Sequence, residues 1–535
     1  MQEKLSPHEV LKEYISGVEF KQGLGLYESV ETNENFFIGR QWEGVEAGGL
    51  PTPVFNFLKR VVLFSVANVT AENWALHAHP LSAHPFPGAE AQGGMELITQ
   101  ALNEQFASLF EFNQLGALLR EFARNAAVDG DGCTYSYWDA EAETGGSLKG
   151  CVRTELLQNT QVHFGDPNRR SVQDQPYILI ERRLQLEEAR TMAREAGLSE
   201  NDVASIAPDD KEGGCKHMDQ LAGDRVTVLL RLWKDKESGH IWGYECTRNL
   251  ELKAPWDLGI RLYPLTWMSW DFVQDCYHGQ AMITGLIPNQ IFVNKLFAMS
   301  MVSLMTMAYP KVLYDRTRVE KWSNRVGAAI AVSGPVEDVA RNMSPAAISP
   351  QIGQFIDLAV GYTQRFLGAS DAALGDSRPD NAAAIVALQR AAATPMELTR
   401  QNLSQSIEDL GRIYMEFMAA DYGVRPVELR GRNGLVTVPL DFAILREIPL
   451  GVKLDAGTSF YWSEIASMQT LDNLLLQGKI STVEYLKRLP AGQISDRESL
   501  IAALEKESGV PAPGAGPLWE LEKSTAPDTA AAPET

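Results

Sequence analysis

The amino-acid sequence predicts an α+β protein that is mainly helical. Apolar residues recur at helical spacing through 95–127, 286–308 and 382–418, which predicts long helices. Between 134 and 247 the spacing changes to two residues, which predicts strands. With 535 residues, of which 45% are apolar and 22% charged, the chain is long enough for several domains with a sizeable core.

The N-terminal part is predicted to begin with helices. Short helices are expected within 6–37, a longer helix over 54–74 and the longest over 95–127. The segment 77–87 is rich in proline and histidine, so it is predicted to be a loop between the last two helices.

Five short segments are predicted to pair as one mainly antiparallel sheet. These segments are 134–138, 152–156, 177–182, 226–233 and 241–247. A short helix over 187–197 and a polar, mobile insertion over 199–224 are expected between them. Strand character returns over 426–454, and these strands are expected to complete the same sheet. The stretch between the two parts would then be an insertion into the sheet.

The chain is organised around a central stretch that starts with two helices. The first, 286–308, is apolar on all sides from Leu296 onward, so other protein must cover it. It is predicted to be too short, and too polar at its start, to cross a bilayer, which leaves burial within the protein or between subunits. The second helix follows Ser349 and Pro350, ends before Gly368, and is predicted to pair with the first as a hairpin.

A third, much longer helix starts after Pro379 and reaches Met418, which corresponds to about 60 Å. Pro395 lies in its interior and predicts a kink. Beyond the kink, apolar residues at roughly seven-residue spacing predict a seam that packs against another helix. The residues of this seam are Met396, Leu403, Ile407, Leu410, Tyr414 and Phe417.

The C-terminal region is predicted to hold three short helices and a disordered tail. Ser463 is expected to cap a helix that ends at Gln477. Two further helix starts carry the capping-box pattern, at Ser481 with Glu484 and at Ser495 with Glu498. From 511 onward, prolines, alanines and threonines without a core pattern predict disorder.

Charge and cysteine usage limit the classes of function. The net charge of −21, from 48 basic and 69 acidic residues, argues against tight binding of nucleic acid but allows contact with DNA that slides. Five cysteines without a CxxC pair predict free thiols in a reducing compartment. The charged N-terminus lacks an apolar core, so no signal peptide is expected.

The sequence gives no positive support for enzymatic activity, and no catalytic residue, cofactor or metal is predicted. His77 and His79 lack acidic or cysteine partners at metal-site spacing, which favours a surface loop. Phosphate-binding glycine loops and the nucleophile-elbow motif are absent from the sequence. The run Asp129 to Gly132 is too short for a calcium loop and predicts a tight turn.

The insert 310–343, called the basic insert below, is locally cationic in an acidic chain. It is either a solvated face or a small α/β knob that meets an acidic partner or DNA. Its basic residues are Lys311, Arg316, Arg318, Lys321 and Arg325, against only Asp315 and Glu320 over the same stretch.

The connection 368–381, called the acidic loop below, is long for a link between helices. It is either an ordinary connection or a mobile element, and its length favours the mobile one. Its glycines are Gly368 and Gly375, and its charged residues are Asp371, Asp376, Arg378 and Asp380.

Several short motifs, in this order, resemble those of tailed-bacteriophage portal proteins, which form the head-to-tail connector ring at one capsid vertex. The motifs are NFFIGRQW at 35–42, PTPVFN at 51–56, the segment 279–295, ALG at 373–375 and NAAAI at 381–385. In the last motif, Ala-Ala replaces a Ser-Gly pair that is frequent in the family. The resemblance spans most of the chain and includes the order of helix, insert, helix, loop and kinked helix.

The resemblance implies a division of the chain into the parts of a portal subunit. These parts are N-terminal helices and wing sheet (1–275), first stem helix (276–309), α/β clip (310–343), second stem helix (344–367), tunnel loop (368–381), wing helix kinked at Pro395 (382–423), returning wing strands (424–460), helical crown (461–509) and disordered tail (510–535).

The resemblance also implies partners and a location. The chain would assemble with itself into a ring, twelve subunits if it follows the family, at the portal vertex of the virion, after synthesis in the bacterial cytoplasm. The ring would contact the large terminase subunit, the major capsid and scaffolding proteins, the head-to-tail adaptor, and double-stranded DNA transiently and without sequence specificity. No membrane partner is implied. The alternatives are another ring-forming capsid or adaptor protein, which should lack the stem and clip, and an enzyme of unrecognised class, which would need a pocket with convergent titratable groups.

Overall fold

The protein is described by a computed structural model in which helices and strands are mixed, as predicted for an α+β chain. The structure describes residues 5–71, 73–81, 92–143, 148–209, 224–308, 312–323, 325, 329–337, 339–342, 351–366, 396–431, 434–457, 471–489, 500–501 and 504. The chain divides into two compact units, Met1–Asp455 and Ala456–Thr535, and each is described by itself.

The first unit begins with three helices, α1 (Pro7–Gly23), α2 (Leu26–Ile38) and α3 (Phe57–Val69). Helix α1 starts where Ser6 and Glu9 form a reciprocal capping box, which satisfies two backbone groups that a helix start leaves unpaired. One face of α3 is buried in the main core, while Leu63 on the other face is 47% exposed; the buried apolar residues are Leu58, Val61, Val62, Val66 and Val69.

The expected loop at 77–87 is wrong in its first part, because β1 (Asn73–Pro80) is a strand. Leu76 and Ala78 are buried at alternate positions, and this two-residue spacing is what a half-buried strand requires. The single helix expected over 95–127 is also wrong. It is two helices, α4 (Gln92–Phe112) and α5 (Leu115–Asp129), separated at Gln114, whose φ of 50° is incompatible with a continuous helix.

The strands form two larger antiparallel sheets where one was predicted. The three-stranded sheet has the order β3-β2-β9, and the five-stranded sheet has the order β4-β5-β6-β7-β8. The strands are β2 (Asp131–Glu143), β3 (Lys149–Leu157), β4 (Val162–Phe164), β5 (Tyr177–Gln185), β6 (Arg225–Lys234), β7 (Ile241–Cys246), β8 (Glu251–Asp257) and β9 (Leu265–Ser269). Two short helices, α6 (Leu186–Glu195) and α7 (Glu200–Ser205), lie between β5 and β6.

Two helices and a short strand pair follow the sheets. Helix α8 (Ile287–Ala308) and helix α9 (Gln351–Phe366) occupy the positions of the two predicted helices. Between them along the chain, β10 (Val312–Tyr314) and β11 (Ala340–Asn342) pair in antiparallel fashion. The described residues of the basic insert contain no helix, so the expected α/β knob is all-β in that part. Turns are favoured there because Asp315 accepts a hydrogen bond from Thr317 N at 2.9 Å.

Helix α10 (Glu397–Phe417) carries the seven-residue seam, but the seam does not pack mainly on another helix. All six seam residues are buried in the main core, where α10 packs chiefly on β9 and also contacts α3 and β2. Tyr414 shows this arrangement, because its hydroxyl lies 2.6 Å from Thr154 Oγ1 on β3. An apolar stripe on a helix fits a sheet as well as a second helix, so the spacing did not identify the partner.

The last strands of the first unit do not complete the large sheets. Strands β12 (Val424–Gly431) and β13 (Gly434–Asp441) pair only with each other, and β14 (Leu450–Gly457) pairs with β1. In the second unit, residues 471–476 are helical and α11 (Thr482–Arg488) starts at Ser481, whose side chain accepts from Glu484 N. The predicted cap at Ser463, the capping pair at 495 and 498, and the tail lie outside the described residues.

Candidate functional site

Helix α8 is buried at one end and exposed at the other, although it is apolar. Its buried residues, Ile287, Gln290, Val293, Asn294 and Leu296, all lie in its first half. Large side chains in its second half are well exposed, including Met299, Leu304 and Met305 at 56%, 57% and 56%. An exposed apolar surface of this kind marks a place where other molecules bind.

Length and composition alone do not support the expectation that this helix is too short to cross a bilayer, because by these two criteria it passes a test for a membrane span. Ile287–Ala308 is the one helix among the described residues that passes that test, with a mean hydropathy of 1.5 and 17% of the window buried. Hydropathy alone does not distinguish a lipid partner from a protein partner. The contacts that α8 makes with the rest of the chain are therefore needed to choose between them.

Helices α8 and α9 lie against each other and run antiparallel. Asn289, near the start of α8, donates from Nδ2 to Thr363 Oγ1, near the end of α9, over 3.0 Å. Helix α9 also exposes large apolar side chains, namely Phe355, Leu358 and Tyr362 at 51%, 49% and 64%. The pair therefore presents apolar surface on both of its helices.

A buried cluster of three amide side chains, called the amide cluster below, holds the first half of α8. Asn294 donates from Nδ2 to Gln41 Oε1 over 2.7 Å, and Gln290 donates from Nε2 to Asn294 Oδ1 over 3.0 Å. Gln41, Gln290 and Asn294 are 6%, 0% and 3% exposed. Because buried amides lose free energy when they are left unpaired, these bonds define one orientation of the helix.

The amide cluster also connects α8 to the backbone of the N-terminal region. Gln290 Nε2 donates to Phe55 O over 2.8 Å, and Gln290 Oε1 accepts from Leu58 N at 3.4 Å. Gln41 Nε2 donates to Phe36 O over 3.1 Å. The phenyl rings of Phe55 and Phe297 stack with centroids 3.9 Å apart. Three motifs that are distant in sequence, 35–42, 51–56 and 279–295, therefore meet at the root of α8.

A second buried junction holds the chain just before α8. Asp131, whose side chain is 0% exposed, accepts from Ser269 Oγ at 2.7 Å and from Gly279 N at 2.8 Å. His278 Nδ1 lies 2.8 Å from Asp131 Oδ2, and burial lowers the pKa of His278. A Cβ on Gly279 would come within 2.5 Å of Ser269 Cβ, so this approach requires glycine. In the run 129–132, α5 ends at Asp129 and β2 begins at Asp131, so the predicted tight turn is only the connection at Gly130, whose φ is 103°, and Asp131 is a structural carboxylate.

The basic insert lies on the surface. Arg316, Lys321 and Arg325 are exposed, whereas Arg318 lies 3.7 Å from Asp315 and donates to Glu337 O over 3.5 Å. The ring of Tyr314 stacks on Trp322 at 5.4 Å between centroids. The structure therefore places three predicted cations outward and uses the fourth, Arg318, partly to hold the insert together.

Some predicted residues lie outside the described residues. These are Lys311, Pro395 and every residue of the acidic loop, namely Gly368, Asp371, Gly375, Asp376, Arg378 and Asp380. The amides at 41, 290 and 294 were not singled out from the sequence. Their signal was the presence of three amides within otherwise apolar patterns, which identifies a cluster only once the fold brings them together.

A partly polar cavity of about 780 Å³ lies between the two sheets. In its lining, Arg182 lies 3.2 Å from Glu155 and Arg183 forms an ion pair with Asp209, whereas the ammonium of Lys253 lies 3.7 Å from the centroid of the Trp256 ring. Among the described residues no group of three or more His, Cys, Asp or Glu is placed to hold a metal ion. The lining of this cavity also includes Asp421, whose pKa is raised to about 6 by burial.

The α+β body carries an antiparallel helix pair with exposed apolar side chains, a surface typical of proteins that bind a partner. Residues 244–427 match the family model described as phage P22-like portal protein, a segment from β7 to β12 that includes both helices, the basic insert and α10. This match confirms the resemblance to tailed-phage portal proteins and supports a phage portal role. That family is structural and not enzymatic. No curated protein matches the chain.

Proposed function

We propose that this chain is the subunit of a portal ring at one vertex of a phage capsid, through which double-stranded DNA is packaged and later ejected. The observation that carries the proposal is the exposed apolar second half of α8. Apolar surface on this scale is stable in water only when another molecule covers it. In a closed ring, each subunit covers its neighbour.

The root of α8 favours protein neighbours over lipid. The buried residues of α8 extend to Leu296, and Phe297 stacks on Phe55, so the part of the helix beyond these contacts is 298–308, which corresponds to about 17 Å. A bilayer has a hydrocarbon core of about 30 Å, which this free length does not span. The exposed apolar residues of α9 would lie beside it in the same interface.

The charge of the chain suits a channel that conducts DNA. A net charge of −21 repels phosphate, so DNA passing through the ring would make few long-lived contacts. In this proposal α8 and α9 are the stem, the basic insert is the clip, and the acidic loop is the tunnel loop that faces DNA. A count of twelve subunits follows from the family.

The assignment of these segments to stem, clip and tunnel loop also suggests the binding partners of the ring. The exposed cations of the clip, Arg316, Lys321 and Arg325, would dock the large terminase subunit during packaging and the head-to-tail adaptor afterwards. Capsid and scaffolding proteins would contact the remainder of the ring in the virion. Synthesis would take place in the host cytoplasm.

The test compares the wild-type chain with the double variant Leu304→Gln, Met305→Gln in detergent-free buffer, by light scattering after size exclusion. Each half-buried apolar side chain contributes about 1 kcal/mol to a contact, so the variant should lose rings by more than tenfold at equal concentration. Leu24→Gln with Leu81→Gln, two exposed leucines away from α8, is the matched control and should assemble normally.

Three results would contradict the proposal. One is a wild-type chain that stays monomeric at high concentration. Another is assembly that the α8 variant leaves unchanged. The third is flotation of the wild-type chain with phosphatidylcholine vesicles that depends on Leu304 and Met305, which would make lipid the partner.

A further inference from the structure

We infer that the amide cluster of Gln41, Gln290 and Asn294 fixes the angle of α8 on the body and thereby sets the number of subunits per ring. This inference rests on the proposed ring. The three residues are buried inside the subunit, so they would be positioning residues that act through the direction of α8.

The type of contact at the root of α8 determines how firmly the direction of the helix is held. Apolar contacts are non-directional, so a helix held only by them can rotate or slide with little loss of free energy. Hydrogen bonds between buried amides are directional, and each displaced bond leaves a polar group unpaired. A single buried amide can fix register between packed helices for this reason.

The amide cluster restrains α8 at two successive turns of the helix. Asn294 is bonded to Gln41, while Gln290, one turn earlier, is bonded to Phe55 O and Leu58 N. The bond from Gln290 Nε2 to Asn294 Oδ1 joins the two sets of contacts. Rotation of α8 would break the bonds of both turns together.

A closed ring of one subunit count requires a narrowly defined angle between neighbouring subunits. Near twelve subunits, one subunit more or fewer changes the angle between neighbours by only about 2 to 3 degrees. From Asn294 to Ala308 the helix is about 21 Å long, so such a change moves its end by about 1 Å. A packed interface detects a shift of that size, but only if the root of the helix is rigid.

The experiment is native mass spectrometry of rings assembled from the triple variant Gln41→Met, Gln290→Met, Asn294→Leu. This variant removes all three amides and replaces each with an apolar side chain of similar length. The wild type should give one dominant subunit count, and the variant should give rings of at least two counts, with the dominant one falling below about two thirds of the total. Circular dichroism and thermal unfolding check that the variant is folded.

Two further variants separate positioning from a general loss of stability. Gln175→Met removes a buried amide that likewise accepts from a backbone N–H (Asp166 N, 3.0 Å) and donates to a backbone carbonyl (Arg169 O, 2.8 Å), far from α8 in the chain. It should keep the wild-type count. The exchange Gln41→Asn with Asn294→Gln retains an amide on each side and should restore a single dominant count.

A folded triple variant that forms rings of the unchanged single count would overturn the inference while leaving the proposed ring intact. So would a mixture of counts in the Gln175→Met rings, or in the wild type. If the triple variant does not fold, the exchange variant decides, because a single count is then expected and a mixture contradicts the inference. Failure of the wild type to form any ring would instead be a failure of the proposed function.

Discussion

Asn294 Nδ2 donates a hydrogen bond to Gln41 Oε1 over 2.7 Å, although 253 positions separate the two residues in the chain. The bond joins the NFFIGRQW motif near the N-terminus to the root of the apolar helix α8. It therefore explains why two motifs with no chemistry of their own occur together in this sequence. They form a structural joint, and the exposed end of α8 is what the joint positions.

Reversing the charge of the exposed cations in the basic insert should block DNA packaging without affecting ring assembly. The triple variant Arg316→Glu, Lys321→Glu, Arg325→Glu changes the local charge by about six units at three exposed positions, so rings should form normally. Contact with an acidic face of the packaging motor should be lost by repulsion. In a packaging assay with purified terminase we expect at least a tenfold loss of packaged DNA.

The control for this variant reverses three exposed cations elsewhere, Lys12→Glu, Arg120→Glu and Lys236→Glu. It introduces the same net charge and should package normally. Equal packaging by both variants would remove the clip from the functional surface.

Shortening the acidic loop should impair DNA handling and not folding. Deletion of Ser370 to Ser377 removes Asp371 and Asp376, which repel phosphate and would keep DNA sliding. Rings of this variant should assemble, but capsids should package less DNA or release it early, as measured by nuclease protection. Full retention of a complete genome would show that the loop does not face DNA.

Asp129 should make the stability of the first unit depend on pH. Burial raises the pKa of this carboxyl from 3.8 to about 7, with Glu34 and Asp131 adding to the effect and Arg124 opposing it. Between about pH 4 and pH 7 the folded chain therefore binds a proton that the unfolded chain has released, so the free energy of unfolding falls as the pH rises through this window. The change is complete above about pH 7.

The variant Asp129→Asn removes this dependence. It should match the wild type near pH 4 and exceed it at pH 8 by about 1 to 2 kcal/mol, given that the group is partly exposed to solvent. Denaturant melts at both pH values measure the difference. Asp275→Asn, at an exposed position, controls for the loss of one charge, and an equal gain there would contradict the assignment.

Helix α10 allows a matched test of the seam that packs on the sheet. Leu403 is 1% exposed and Leu398 on the same helix is 73% exposed. Leu403→Ala should lower the free energy of unfolding by about 2 to 5 kcal/mol, because it removes a buried side chain and leaves a cavity. Leu398→Ala should change it by less than about 0.5 kcal/mol. Similar losses at both positions would mean that the seam is not the buried face.

Much of the helical structure could be predicted from the sequence, because apolar spacing reports directly on which face of a helix is buried. Helix α8 was expected over 286–308 and observed at Ile287–Ala308. The break between α4 and α5 was not predicted, since Gln114 adopts a positive φ without the glycine that usually signals it. The strand β1 was missed because its alternation is short and ends in proline.

Pairing over long distances could not be predicted, because periodicity says which face is buried and not what buries it. The seam of α10 looked like one half of a helix pair but packs chiefly on β9, and β14 pairs with β1 from the other end of the unit. The amide cluster is likewise a long-range contact that periodicity does not predict. Gln41 and Asn294 become a site only when the fold places them side by side.

Cryo-electron microscopy of the purified chain in detergent-free buffer is the most direct test of the proposed ring. We expect closed rings with a central channel, in which Met299, Leu304 and Met305 of each subunit are covered by its neighbour. Monomers, open filaments, or rings in which these three side chains still face solvent would contradict it.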